Sequence, residues 1–74
     1  MKKAIIFESN LYRCEMKAKE LGYKPSECVL ISATFSHNRQ RDMIRGYWKD
    51  VLIDKSIKIY GMNEEGFKYL YLTH

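Results

Sequence analysis

The chain has 74 residues, and thirteen Lys and Arg against nine Asp and Glu leave a formal charge of +4. That length holds one domain and buries only about 60–65% of its unfolded surface, so the margin of stability is thin. A hydrophobic share of 46% excludes a disordered tail, and no apolar run nears the roughly 18 residues of a membrane span.

Met1-Lys2-Lys3 followed by Ala4-Ile5-Ile6-Phe7 begins like a signal peptide, but the apolar stretch ends at Glu8. An h-region needs about 7–15 apolar residues, so the run predicts a strand buried on both faces instead. Ser9 and Asn10 then offer helix caps, and Leu11, Cys14, Ala18 and Leu21 recur at helical spacing. Gly22 and Pro25 end that helix, which is expected over residues 10–21.

After the loop Pro25-Ser26-Glu27, the run Cys28-Val29-Leu30-Ile31-Ser32 predicts a second strand. Ser36 caps a second helix running to about Tyr47, with Met43, Ile44, Tyr47 and Trp48 on one arc. Gly46 is an interior cost that frays or ends it. Val51-Leu52-Ile53-Asp54 reads as a third strand. Strand and helix alternate, and each connection is long enough for a right-handed crossover. The pattern predicts an α/β fold, a small three-stranded parallel βαβαβ sheet with helices packed on it.

The last twenty residues read two ways. Ile57-Lys58-Ile59-Tyr60 alternates at period two, as do Phe67, Tyr69 and Tyr71, and together they predict a C-terminal hairpin. The competing reading starts a helix at Asn63, with Glu64 and Glu65 in its first turn where the helix dipole favours acids.

Chemistry-bearing patterns are few. Cys14 and Cys28 have neither CxxC spacing nor clustered histidines, so no metal site is expected, and they read as small buried hydrophobes of a reduced, cytoplasmic protein. Cys14 lies on the apolar stripe, where a thiolate is disfavoured. His37 and the terminal His74 are the only histidines, and no base is placed beside either cysteine. Ser32-Ala33-Thr34 is similar to the Ser-Ala-Thr that large two-domain helicases carry after such a strand. Without a GxxxxGK[ST] loop or an acidic pair for magnesium, it reads as a strand end leading into a helix cap. Glu8, Ser32 and Asp54 end the three predicted strands, where α/β folds bind ligands, yet nothing else there would hold a nucleotide or metal. The expectation is a non-enzyme with no catalytic residue and no cofactor.

Two surfaces remain. Residues 35–49 carry Arg39, Arg41, Arg45 and Lys49 against Asp42 alone, a local +3 of the total +4. That row could follow the phosphates of DNA or RNA, with Trp48 stacking a base, and defines a candidate nucleic-acid surface. Tyr60, Phe67, Tyr69 and Tyr71 offer more apolar surface than one short sheet edge needs. They form a candidate protein interface or homodimer seam.

One likeness spans residues 3–54. Ala4-Ile5-Ile6-Phe7, a charged helix ending Leu21-Gly22-Tyr23-Lys24-Pro25-Ser26-Glu27, and Val29-Leu30-Ile31-Ser32 resemble small orphan proteins of tailed bacteriophages. Arg45-Gly46-Tyr47 before Val51-Leu52-Ile53 looks like the Arg-Gly-aromatic step that precedes their third strand. The resemblance implies a βαβαβ unit like a P-loop domain without its phosphate loop, ending in a helix. It brings no activity and no catalytic residues. What it implies is an accessory factor in the host cytoplasm that binds a host or phage protein.

Overall fold

The computed structural model describes residues 1–72. Strand β1 (Ala4–Glu8) leads into helix α1 (Leu11–Glu20), and a 3₁₀ turn (Pro25–Glu27) precedes strand β2 (Cys28–Ser32). Helices α2 (His37–Arg45) and α3 (Trp48–Leu52) follow, then strand β3 (Lys58–Tyr60) and helix α4 (Glu64–Leu72). The three strands form one parallel sheet in the order β2-β1-β3. The α/β architecture read from the alternation of elements is therefore the observed one. Among the described residues, no helix is long and apolar enough to cross a membrane.

Period-two alternation along β1 sorts the core into two clusters. Ala4 and Ile6 pack with Cys14 and Ala18 of α1 and with Cys28, the layer on one face. Ile5 packs on the other face with Val29, Ile31, Ile44, Val51, Ile57, Phe67 and Leu70, drawn from the sheet and the remaining helices. A central strand covered on both faces needs a continuous apolar run, which Ala4-Ile5-Ile6-Phe7 supplies. The first crossover puts α1 on one face and the second puts α2 and α3 on the other. Both follow from right-handed crossovers that run in opposite directions across the sheet, the first from β1 to β2 and the second from β2 past β1 to β3.

Helix α1 starts where the sequence places it. Asn10 Oδ1 accepts from the Arg13 N–H at 2.9 Å, and Gly22 follows the helix end at φ +86°. The expected stripe is narrower than its spacing implies, because Leu11 stays 44% exposed while Cys14 and Ala18 are fully buried. Helix α2 is capped by Ser36, whose hydroxyl accepts from the Arg39 N–H.

The third strand is not where the apolar run predicts it. Trp48–Leu52 is helix α3, and the strand is Lys58–Tyr60. Ile44, Tyr47, Trp48 and Val51 keep a spacing of 3, 1 and 3, so the helical apolar face continues past Gly46. Val51 is buried and Ile53 is exposed, which a strand buried on both faces would not allow. The Asp50 carbonyl then accepts from the Ser56 and Ile57 N–H groups and turns the chain into β3.

The hairpin is replaced by α4, the competing reading. Asn63 caps it, its Oδ1 accepting from the Gly66 N–H at 2.7 Å, and Glu64 and Glu65 occupy the first turn. Phe67 and Leu70, three apart, are the buried pair, so the aromatic alternation is not the period that organises the segment. Of Ile57 to Tyr60, Lys58 to Tyr60 does form a strand, but beside β1 and parallel to it.

One ion pair ties the chain start to the turn before β2. Lys3 Nζ lies 2.7 Å from Glu27 Oε2, and the Lys24 N–H donates to Glu27 Oε1. The Lys3 ammonium first, and then the Lys24 N–H, holds the Glu27 carboxyl below the ordinary glutamate range. A carboxyl depressed in the folded state contributes stability above its unfolded pKa and loses it as pH falls through the folded value. The wild type should therefore outlast Glu27→Gln on heating at neutral pH, with the gap closing as pH falls through and below the ordinary glutamate range. A gap that is the same across thermal melts at every pH would refute the assignment.

Candidate functional site

At the carboxyl ends of the strands, the usual ligand crevice of an α/β sheet, the chain's own turn follows β2, and beside it lies a shallow cavity of about 290 Å³ lined by Phe7, Glu8, Ala33, Gln40 and Gly61. Ser32 is fully buried; its hydroxyl lies 2.6 Å from Thr34 Oγ1 and accepts the Thr34 N–H. Gln40 Nε2 donates to the Phe35 and Ser32 carbonyls and fastens α2 to that turn. Ser32-Ala33-Thr34 is thus a satisfied strand-to-helix turn. Asp54 does not join Glu8 in a crevice. It precedes β3, at the end of the sheet opposite to Glu8, because the third strand begins four residues later than Asp54. Among the described residues, no group of three His, Cys, Asp or Glu could hold a metal.

Both cysteines are free and buried. Cys14 Sγ donates to the Ile31 carbonyl at 3.4 Å, and burial pushes both thiols up. Their role is packing between α1 and the sheet. His37 sits at the start of α2, its ring edge-on to Tyr69 with centroids 6.0 Å apart. His74 lies outside the described residues.

The basic row divides. Residues two apart on a helix point about 200° apart, so Arg39 and Arg41 leave α2 on opposite sides. The Arg39 guanidinium lies 3.8 Å over the Phe35 ring. Arg41 is half-buried, with Nη2 3.7 Å from Asp42 Oδ1. Arg45 is exposed one turn beyond it. Lys49 belongs to α3, with Nζ 5.7 Å from the Trp48 ring. A single track of four cations along one helix face is therefore not present.

The aromatic set divides as well. Phe67 is fully buried and unavailable to a partner. Tyr60 sits on the α1 face of the sheet, its hydroxyl 3.3 Å from that of Tyr23; the Tyr60 hydroxyl and burial raise the Tyr23 pKa. Tyr69 is 63% exposed on the outer side of α4. Tyr71 reaches α3, its ring tilted against Trp48 with centroids 5.3 Å apart.

Members of the two candidate sets thus meet in one place. Trp48 and Leu52 of α3 face Tyr71 and Lys68 of α4 across a groove of about 370 Å³. Trp48 and Leu52 are four residues apart and Lys68 and Tyr71 three apart, so each pair shares one side of its helix. Lys49 stands over the indole and Lys68 lines the wall, which makes the groove apolar at its floor and cationic at its rim. Leu52 and Lys68 escape a sequence reading that takes both segments as strands. The helical spacing of each pair is the signal that would have found them. Compared with protein-family models, curated proteins and solved structures, the chain matches none.

Proposed function

We propose that the chain is a non-enzymatic binding protein that engages a protein partner through the α3–α4 groove. An apolar side chain of the partner would seat in the groove against Leu52 and the packed Trp48 and Tyr71 rings, and a carboxylate beside it would meet Lys49 or Lys68. The observation that carries this reading is an open groove with tryptophan and tyrosine walls, the residue types that dominate binding energy at protein interfaces. The resemblance to small phage proteins makes the partner a host or phage protein, met in the host-cell cytoplasm.

The test is capture from host lysate, with and without nuclease, by the wild type, Trp48→Ala and Lys68→Glu. The expected result is one retained protein insensitive to nuclease, with affinity falling tenfold or more, about 1.4 kcal/mol or greater, for Trp48→Ala. Lys68→Glu should weaken capture at low salt more than at high salt. Retention unchanged by both substitutions would exclude the groove.

A second reading is favoured by one contact, the Lys49 ammonium over the Trp48 ring beside the exposed Arg45. It makes the same corner a short nucleic-acid contact in which Trp48 stacks a base. That reading requires nuclease-sensitive capture, quenching of the single Trp by an oligonucleotide, and affinity that drops steeply with salt.

A further inference from the structure

Strand β3 is the outer strand of the sheet on its side, and its backbone points in two directions. The Lys58 N–H donates to the Lys3 carbonyl, and Lys58 and Tyr60 are in register with Ala4 and Ile6 of β1. In a parallel ladder alternate residues turn their N–H and C=O to the same side, so Ile59 presents both groups outward. Beside that edge runs a groove of about 490 Å³ whose apolar lining includes Val51, Ile57, Ile59 and Met62. Outward backbone groups next to an apolar trough are the two things an added strand requires.

We infer that β3 pairs antiparallel with β3 of a second copy, about a two-fold axis at Ile59, joining two three-stranded sheets into one. Neighbouring registers are closed off by what flanks the strand. A pairing centred on Lys58 sets two ammonium groups side by side and needs the Ile57 N–H, which already donates to the Asp50 carbonyl. A pairing centred on Tyr60 needs regular strand at Gly61, where φ of +91° turns the chain away. Centred on Ile59, the two Ile59 residues exchange N–H···O=C bonds as one hydrogen-bonded pair. Lys58 then lies across from Tyr60 of the second copy, a cation beside an aromatic ring. The two Ile59 side chains stand on the same face, each at the mouth of the other's groove. Lys55 and Glu64, on the rim of the groove, pair with each other, so the cation each copy brings to the seam is Lys58, set across from Tyr60 of the second copy. Such an interface is isologous and closes, leaving no growing edge at β3.

Sedimentation equilibrium of the full chain from about 10 μM to about 1 mM, with amide exchange followed by NMR, tests this. The expected result is a mass that doubles with concentration. The Ile59 amide should exchange about tenfold or more slowly at the high end, while Lys58 and Tyr60, bonded to β1, are protected throughout. Ile59→Pro deletes the outward donor and leaves the bonds to β1, so it should stay monomeric with unchanged circular dichroism. A chain that is still monomeric at the highest concentration overturns the inference. So does a dimer whose Ile59 amide exchange is independent of concentration. If the proline variant does not fold, wild-type exchange at Ile59 decides. The groove at β3 shares no lining residue with the α3–α4 groove, so partner capture and self-pairing fail or succeed separately.

Discussion

Phe67→Ala should cost about 3–5 kcal/mol and leave the chain mostly unfolded, or with a urea midpoint less than half that of the wild type. Phe67 is the largest side chain with no solvent exposure, set among Ile5, Ile31, Ile44 and Val51. Removing the ring leaves a cavity between α4 and the sheet that this small core has little means to close. A domain of this size has roughly 4–11 kcal/mol in hand at about 0.05–0.15 kcal/mol per residue, so one such cavity takes a large part of it. Tyr69→Ala is the contrast, because Tyr69 is 63% exposed and losing its edge-on contact with His37 should cost no more than about 1.5 kcal/mol. On a strand, Phe67 and Tyr69 would share a face and the two substitutions would cost similar amounts. Equal losses in urea titrations would therefore contradict α4 itself.

The second large effect is expected at Gly61. A Cβ there would fall 2.3 Å from the Phe7 carbonyl oxygen, and φ of +91° disfavours any L side chain. The left-handed backbone alone costs roughly 1–2 kcal/mol, and the overlap with the central strand cannot be relieved by rotating a side chain. Gly61→Ala should lose about 3 kcal/mol or more. Gly46→Ala provides the opposite case. Gly46 has φ of −73° between α2 and α3, and a Cβ would meet nothing within 4 Å. Alanine there should stabilise by up to about 0.5–1 kcal/mol through the unfolded chain and helix propensity. Chemical unfolding of the pair measures both signs together. Wild-type stability in Gly61→Ala would mean that the chain leaving β3 does not pass this close to Phe7.

These two sites also show what local signals can and cannot convey. Helix α1, its Asn10 cap, strands β1 and β2 and the Ser36 cap were legible because each rests on residues within one turn or one strand. Gly46 was legible as well, since α2 ends at Arg45 with Gly46 as its C-cap; what stayed hidden is that Tyr47 (φ −116°, ψ 4°) only interrupts the helix and a new one starts at Trp48. The apolar run Val51-Leu52-Ile53 then looked like the missing strand, although the spacing of Ile44, Tyr47, Trp48 and Val51 already pointed to helix. In residues 67–71 the two periods coincide. Phe67, Tyr69 and Tyr71 fit a strand, and Phe67, Leu70 and Tyr71 fit a helix, so composition alone leaves the choice open. The Asn63 cap and the two acids after it decide. The candidate groove was less legible still. Trp48 and Tyr71 meet only because the second crossover lays α3, and the chain leaving β3 lays α4, on the same face of the sheet, and no spacing along the chain encodes that.

The position of β1 at the centre of the sheet bears on how the chain can fold as it is made. Ile5 lies beside Val29 and Ile59 in register, so the first strand synthesised is completed by residues 24 and 54 positions later. The second closure spans most of the polypeptide, and its entropy must be lost before the β1–β3 ladder returns anything. At roughly 5–20 residues per second, a nascent chain spends several seconds with Ile5 and Ile6 paired on one side only. During that interval the α1 layer can assemble locally, while the opposite face lacks β3 and α4. Translation order thus divides the protein into an early half, β1-α1-β2, and a late half that covers it. Pausing synthesis before residue 58 should leave a species with that early pairing and an uncovered apolar face, the form in which a chaperone would meet it.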